Sequence, residues 1–330
     1  MRKDTIDFVL IWVDGNDPKW QTIFMKYKEN DGDKRPLRFR DMGTLRYWFR
    51  GVEKFAPWVN KVYFVTCGQR PNWLNTANPK LVCVRHDEFI PEKYLPTFSS
   101  HTIEFNLHRI PGLSEQFVYF NDDMFLIRET YRKDFFVRGL PCDKAVMSYN
   151  MPVQQPLFLM PIANAALLNR HFHKKTIMLR YFDRFFSPKY GMADIFKNIK
   201  HFTGTYIPGF HSAHLPNSFS KSTFDEVWAV EPELLDSVCS HRFRAQSDIN
   251  QWALQGWQYC TGRFYPRRYP GQCFYIRTKE DAGLAAKAIT DSRYKMICLN
   301  DEVTENFERV KLEFHNAFEK LLPEKSHFER

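Results

Sequence analysis

No apolar run in this sequence approaches the length a bilayer requires, so the residues given contain no candidate membrane-spanning helix. The start, MRKDTIDFVLIWVDG, has an apolar segment interrupted at Asp14 and no small-residue cleavage site, which predicts a protein without a secretion signal. The seven cysteines are odd in number and scattered, with no CxxC pair, which argues against a disulfide framework and against a zinc site. That usage suits a reducing cytosol, so a cytoplasmic location is expected. There is no internal repeat and no low-complexity tract. Nor is there a basic arm or a nucleic-acid motif, and nucleic acid is not expected as a partner.

The 330 residues suffice for one large or two ordinary domains, and 44% hydrophobic content is that of a globular protein. A net charge of +9 implies an anionic partner, for which a phosphorylated substrate and an anionic membrane face both qualify.

Ile6 to Val13 is a continuous apolar, β-prone run, as expected of a strand buried on both faces. It stops at Asp14-Gly15-Asn16-Asp17-Pro18, where Gly15 permits close backbone approach and Pro18 suits a helix start. A nucleotide held by backbone amides and a carboxylate fits there, and so does a plain polar turn. Residues 28–40 (KENDGDKRPLRFR) are expected to form a mobile loop. The spacing of Leu45, Trp48, Val52 and Phe55 predicts an amphipathic helix over 41–55, with Arg46 and Arg50 on a neighbouring face for solvent or phosphate. Further strands are predicted at 61–66, 80–85 and 117–120. Ser99 or Ser100 is expected to cap a helix that buries Ile103, Leu107 and Ile110 and carries His101, Glu104 and His108 on another side.

This alternation predicts an α/β fold, a mostly parallel sheet flanked by helices, with Asp14, Gly68 and Asp122 at one sheet edge. Asn121-Asp122-Asp123 closes the last of these strands. Neighbouring carboxylates there repel unless a cation neutralises them, so a divalent metal is the economical reading beside that of a polar turn.

The second half is expected to hold a short strand near 145–148, a proline-punctuated section (Pro152, Pro156, Pro161) and helices near 223–238, 247, 281–289 and 302–322. Residues 171–207 mix basic and aromatic side chains, suited to packing or to an acceptor chain. Between Pro208 and Pro216 a rigid turn presents His214, a residue type suited to general base work. Arg244 and Asp248 flank the expected helix start near 247, placed for a phosphoryl oxygen and for a cap or a metal. The expected division is 1–150 as a nucleotide-sugar-binding core and 151–330 as a helix-rich part that completes the active site.

Several blocks together resemble the Stealth family of sugar-phosphate transferases: 6–20, 40–75, 95–126, GFHSAHLPNSF (209–219), FRAQSDINQ (243–251) and ICLND (297–301). That family includes bacterial capsular polysaccharide phosphotransferases and is related to the catalytic subunit of the lysosomal-enzyme N-acetylglucosamine-1-phosphotransferase. The resemblance implies a Rossmann-like, GT-A-like core and catalytic roles for Glu104, Asp123, His214 and Arg244. It also implies nucleotide contacts at Asp14, Gly15 and Arg46, and Mg²⁺ or Mn²⁺ on Asp122, Asp123 or Asp248. The implied reaction moves hexose 1-phosphate from a UDP-sugar to a hydroxyl of a capsular polysaccharide or oligosaccharide, releasing UMP. The base would be His214 or Glu104, and the setting the cytoplasm with peripheral contact to the inner membrane or the capsule assembly machinery. Cys67 stands where the family pattern has an Asp before Gly-Gln. A metal-dependent glycosyltransferase that releases UDP, and a non-catalytic polysaccharide-binding protein, are the competing readings.

Overall fold

The computed structural model describes residues 5–149, 159–291, 293–303 and 305–330, so the expected division at 150/151, Pro152 and Pro156 lie outside the described residues. In chain order the elements that position the site are β1 (Ile6–Ile11), α1 (Pro18–Lys26), α2 (Leu45–Phe55), β2 (Val62–Thr66), β3 (Leu81–Arg85), α3 (Ser100–Asn106), β4 (Gln116–Phe120) and β5 (Met124–Leu126). They continue with α4 (Met192–Phe202), β6 (Asn217–Ser220), α5 (Gln251–Cys260), β7 (Gly271–Ile276), α6 (Lys279–Thr290), β8 (Met296–Asp301) and α7 (Phe307–Leu321).

The central five-stranded sheet has the order β3-β2-β1-β4-β6. The first four strands run parallel and β6 pairs antiparallel to β4. Because side chains alternate across a strand, the sheet buries two sets of residues. Phe8, Leu10, Phe64 and Phe120 pack on one side with Trp48 of α2 and Phe314 of α7. Val9, Val65, Phe117 and Tyr119 pack on the other with Phe105 of α3 and Leu254 of α5. This is the α/β architecture that the alternating pattern predicted. At the amino edge the buried Asp7 carboxylate accepts from Asn60 Nδ2 (2.7 Å), Lys61 N (3.1 Å) and Ser114 N (2.8 Å), fastening three segments together.

A second sheet, of three strands, has the order β7-β8-β5. Here β8 pairs antiparallel to β5, with Cys298 opposite Met124, and parallel to β7, with Cys273 beside Cys298. Only Asn121, Asp122 and Asp123 separate β4 from β5. The acidic turn therefore joins the two sheets, and the C-terminal strand β8 is brought alongside it.

Several local expectations are corrected. Residues 28–40 contain local structure that the sequence did not indicate: Pro36–Phe39 form a 3₁₀ turn, and Asp33 N donates to Arg244 O at 3.0 Å. No strand forms at 145–148, where a single bridge pairs Met147 with Phe210; the strand lies earlier, at Leu140–Asp143. The helix expected over 223–238 is two helices, Lys221–Val230 and Pro232–Ser240, because Pro232 begins a new helix rather than continuing the first. The helix expected near 247 starts at Gln251, where the Asn250 side chain accepts from Trp252 N at 3.2 Å. Ser99 occupies the N-cap of α3 but makes no capping hydrogen bond.

Candidate active site

Four parallel strands end on the same edge, and the chain leaving each one reaches a single cleft. Trp12 follows β1, Cys67 follows β2, His86 follows β3, and Asn121 to Asp123 follow β4. The cleft encloses about 1330 Å³ out to open solvent, and the carboxyl ends of parallel strands are where an open α/β sheet can receive a ligand. Trp12, Trp20, Phe39 and Phe98 give it an aromatic wall.

Asp123 lines the cleft with one oxygen partnered and the other bare. Its Oδ2 accepts from Cys298 Sγ at 3.3 Å and lies 4.0 Å from His214 Nε2, while its Oδ1 is buried with no hydrogen-bond partner. Burial raises its carboxyl above the ordinary range against the opposing pull of His214 and Cys298. Asp122 beside it is raised well above that range by burial, then by the charges of Asp123 and Asp41. Asp41, also lining the cleft, is raised by burial, although Gly43 N donates to its Oδ1 at 2.8 Å. Three carboxylates thus share one desolvated space.

His214 comes from the turn before β6. Its φ of +45° is rare for a residue with a side chain, and prolines at 208 and 216 bracket its turn. The ring meets Trp252 edge-on at 5.7 Å. Arg244 lines the cleft too, and among the described residues its guanidinium makes no hydrogen bond or ion pair. Asp123, His214 and Arg244, from segments far apart in sequence, therefore share one cleft.

Other expected site residues have different surroundings. Glu104 is buried and does not line the cleft; it accepts from Ser100 Oγ (3.0 Å), Tyr119 Oη (3.2 Å) and Gln251 N (3.3 Å). It is this carboxylate, and not Asp248, that meets the first amide of α5. Asp248 is fully buried and accepts from His101 Nδ1 (3.1 Å), His241 Nδ1 (2.7 Å) and Ala245 N (2.8 Å). With its oxygens so committed it lies outside the cleft and joins α3 to the segment that carries Arg244.

Asp14 turns its Oδ1 to Asn16 N (2.9 Å), and its backbone is gripped by the side chain of Gln69. Gly15 is needed for close approach, but to this chain itself: a Cβ there would meet Phe39 O at 2.3 Å. Arg46 is exposed on α2 and stacks over Trp73, with 5.2 Å from Cζ to the ring centroid, outside the cleft.

The orphaned Asp123 Oδ1 and the crowded, raised carboxyls fit a divalent cation at Asp122 and Asp123. A wider donor set also exists, since ligand atoms of Asp123, His214 and Cys298 lie within 4.8 Å of one another. The scattered cysteines concealed Cys298, and nothing local in the sequence distinguished Arg38, Asp41 or His86 as cleft residues. Burial pushes the His86 imidazole down to about 4, so it faces the cleft uncharged.

Comparison with known proteins matches two parts of the chain to family models, which cover the blocks at 40–75, 95–126 and 297–301. Residues 38–142 match the model of Stealth protein CR2, conserved region 2, and residues 287–330 match that of Stealth protein CR4, conserved region 4. The chain is 38% identical over 332 residues to the capsular polysaccharide phosphotransferase WcwK of Streptococcus pneumoniae, covering 99% of this chain and 98% of that protein. It is 40% identical over 335 residues to the receptor polysaccharide phosphotransferase WefC of Streptococcus oralis, covering 98% and 99%. Among solved structures, the galactosyltransferase LgtC with donor and acceptor sugar analogs is 11% identical, covers 94% of this chain and 95% of that one, and has a TM-score of 0.39, a likeness too loose to bear on the reaction.

Proposed function

This chain belongs to the Stealth family of polysaccharide phosphotransferases, and from that premise we propose that it transfers hexose 1-phosphate, often N-acetylhexosamine 1-phosphate, from a UDP-sugar to a sugar hydroxyl. The acceptor is a capsular polysaccharide or oligosaccharide. The acceptor oxygen attacks the phosphorus that carries the sugar. A new P–O bond forms as the bond from that phosphorus to the nucleotide's phosphate oxygen breaks, and UMP departs with the electron pair. The observation that carries this reading is the convergence of Asp123, His214 and Arg244 on one cleft.

Phosphoryl transfer asks a protein for alignment and for charge stabilisation more than for covalent chemistry. Arg244, with no partner among the described residues, is available to the charge on the transferring phosphorus. His214 takes the acceptor proton, a role for which Glu104 is poorly placed because three donors hold it beneath the cleft. Asp122 and Asp123 would hold Mg²⁺ or Mn²⁺, which when bound supplies positive charge to the diphosphate oxygens.

Contact with the anionic inner face of the membrane is part of the proposal, and α4 supports it. That helix turns Asn198 and His201 inward and leaves Met192, Phe196 and Ile199 exposed beside Lys197 and Lys200. No helix among the described residues is long and apolar enough to cross a membrane.

Product analysis after incubation with UDP-sugars and capsule oligosaccharides tests the reaction. UMP and a phosphodiester linkage are expected; UDP and a glycosidic bond would establish a glycosyltransferase, and no metal-dependent nucleotide release would favour a binding protein.

A further inference from the structure

We propose that Arg38 is a second phosphate-binding cation of this cleft, paired with Arg244 to receive the two phosphates of a diphosphate, and that Asp33 is the residue that positions it. The inference rests on the reading of the cleft as a nucleotide-sugar site, and adds a residue that the sequence blocks leave unassigned.

Asp33 lies in the 28–40 segment with a carboxylate that is only 3% exposed. Its Oδ1 accepts from Arg35 Nε at 2.7 Å, and its Oδ2 from Arg35 Nη2 at 2.7 Å and Arg38 Nε at 2.9 Å. Against the burial that raises it, these bonds hold the Asp33 carboxyl well below the usual range. Asp33 N also donates to Arg244 O. One residue thus fixes the guanidinium of Arg38 and the backbone of Arg244. The close approach this needs is enforced at Gly32, whose φ is +125° and whose added Cβ would lie 2.5 Å from Phe243 Cβ.

Arg38 is held through Nε alone, so both of its Nη groups are without hydrogen bonds among the described residues. Arg244 beside it is without any. Burial, and then the Arg244 charge, lower the Arg38 guanidinium from its ordinary value. Two neighbouring like charges with free donors favour an anion between them, and guanidinium groups match phosphate oxygens in a bidentate fork. The third arginine of the cleft provides the contrast. Arg40 is spent on Asp301 (Nε to Oδ2, 2.9 Å), Val303 O (2.9 Å) and the Phe307 ring (3.9 Å from Cζ), which makes it a structural cation.

Titration calorimetry on the full-length protein with UDP, UMP and inorganic pyrophosphate tests the proposal. Losing a charge-assisted bond of about 1.5–3 kcal/mol corresponds to roughly 10–100-fold in affinity. Arg38→Ala is expected to weaken UDP and pyrophosphate by that factor and UMP less, whereas Arg46→Ala, the same charge lost outside the cleft, leaves all three unchanged. Asp33→Asn is expected to weaken UDP on its own but to add nothing to Arg38→Ala, which a merely structural Asp33 would not do. A folded Arg38→Ala protein that binds UDP and pyrophosphate within twofold of the parent overturns the inference and leaves the proposed reaction standing. A parent that binds neither overturns both. Loss of diphosphate affinity in Arg38→Ala alongside products of UDP and a glycoside overturns only the reaction.

Discussion

Cys298 donates an S–H hydrogen bond to Asp123 Oδ2 across 3.3 Å, linking strand β8 to the acidic turn that follows β4. Burial, then Cys273 and Asp123, push that thiol well above its ordinary range, so it acts as a donor and not as a thiolate. Cys298→Ser, which preserves a donor, is expected to retain turnover within several-fold in Mg²⁺ or Mn²⁺. Cys298→Ala leaves Asp123 Oδ2 without its partner and is expected to lose about tenfold, the equivalent of one hydrogen bond. Steady-state kinetics of the two variants checks this, and loss of metal binding in the serine variant would instead make Cys298 a ligand.

The Asp122 carboxyl is costly to ionise in the fold. Its folded-state pKa is raised, so the ionised form is disfavoured in the fold and the penalty grows as pH rises past the ordinary value of 3.8. Asp122→Asn in metal-free protein is expected to gain about 1 kcal/mol at pH 7 while turnover falls by roughly 10²–10⁴. The same sign predicts that cation affinity in the parent, with Asp122 as a proposed ligand, increases with pH, because protons must leave before a metal binds. Thermal denaturation with and without metal, across pH, reads both effects.

His214 and Glu104 are separable by how they fail. His214→Ala is expected to reduce turnover by about 10²–10⁴-fold with little change in melting temperature, as loss of a base does. Glu104→Gln faces an amide group toward one of its three donors and is expected to destabilise by about 1–3 kcal/mol. Paired turnover and thermal melts distinguish the two, and a stable Glu104→Gln protein with no turnover would return Glu104 to the chemistry.

The C-terminus is pinned to α2 through Arg50, which donates to Glu329 Oε1 (2.8 Å), Glu329 Oε2 (3.1 Å) and Leu322 O (2.8 Å). Although burial opposes it, Arg50 holds the Glu329 carboxyl below its ordinary 4.5. The depressed value means that this stabilisation is complete above pH 4.5 and is lost as pH falls through the lower, folded value. Arg50→Ala strands a buried carboxylate and is expected to cost about 3–5 kcal/mol, measurable by urea unfolding at neutral pH.

Membrane contact through α4 predicts that the protein floats with phosphatidylglycerol vesicles and not with phosphatidylcholine ones. Phe196→Glu is expected to abolish flotation while turnover on a soluble acceptor stays at the parental level, because α4 contributes nothing to the cleft.

The sequence by itself determined the parallel core. The run that became β1 is so continuously apolar that it suits a strand buried on both faces, the alternation of strands and helices after it predicts parallel neighbours, and chain direction then assigns their carboxyl ends to one edge. The sequence also placed Asp122 and Asp123 at that edge, and the long ordered blocks singled out His214 and Arg244, which the fold brings into the same cleft. What a carboxylate or a cysteine does there depends on groups that arrive from far along the chain, and local patterning carries no such information. Asp248 met two histidines and was sealed off, Glu104 was drawn beneath the cleft by the first amide of α5, and Arg46 was left on an outer helix face. Conversely, Cys298 reached Asp123 only because β8 pairs with β5, and Arg38 came beside Arg244 only because Asp33 ties the two segments. Tertiary pairing decided those roles, since burial and hydrogen-bond partners set the charge state and availability of a side chain, and both are properties of the assembled fold.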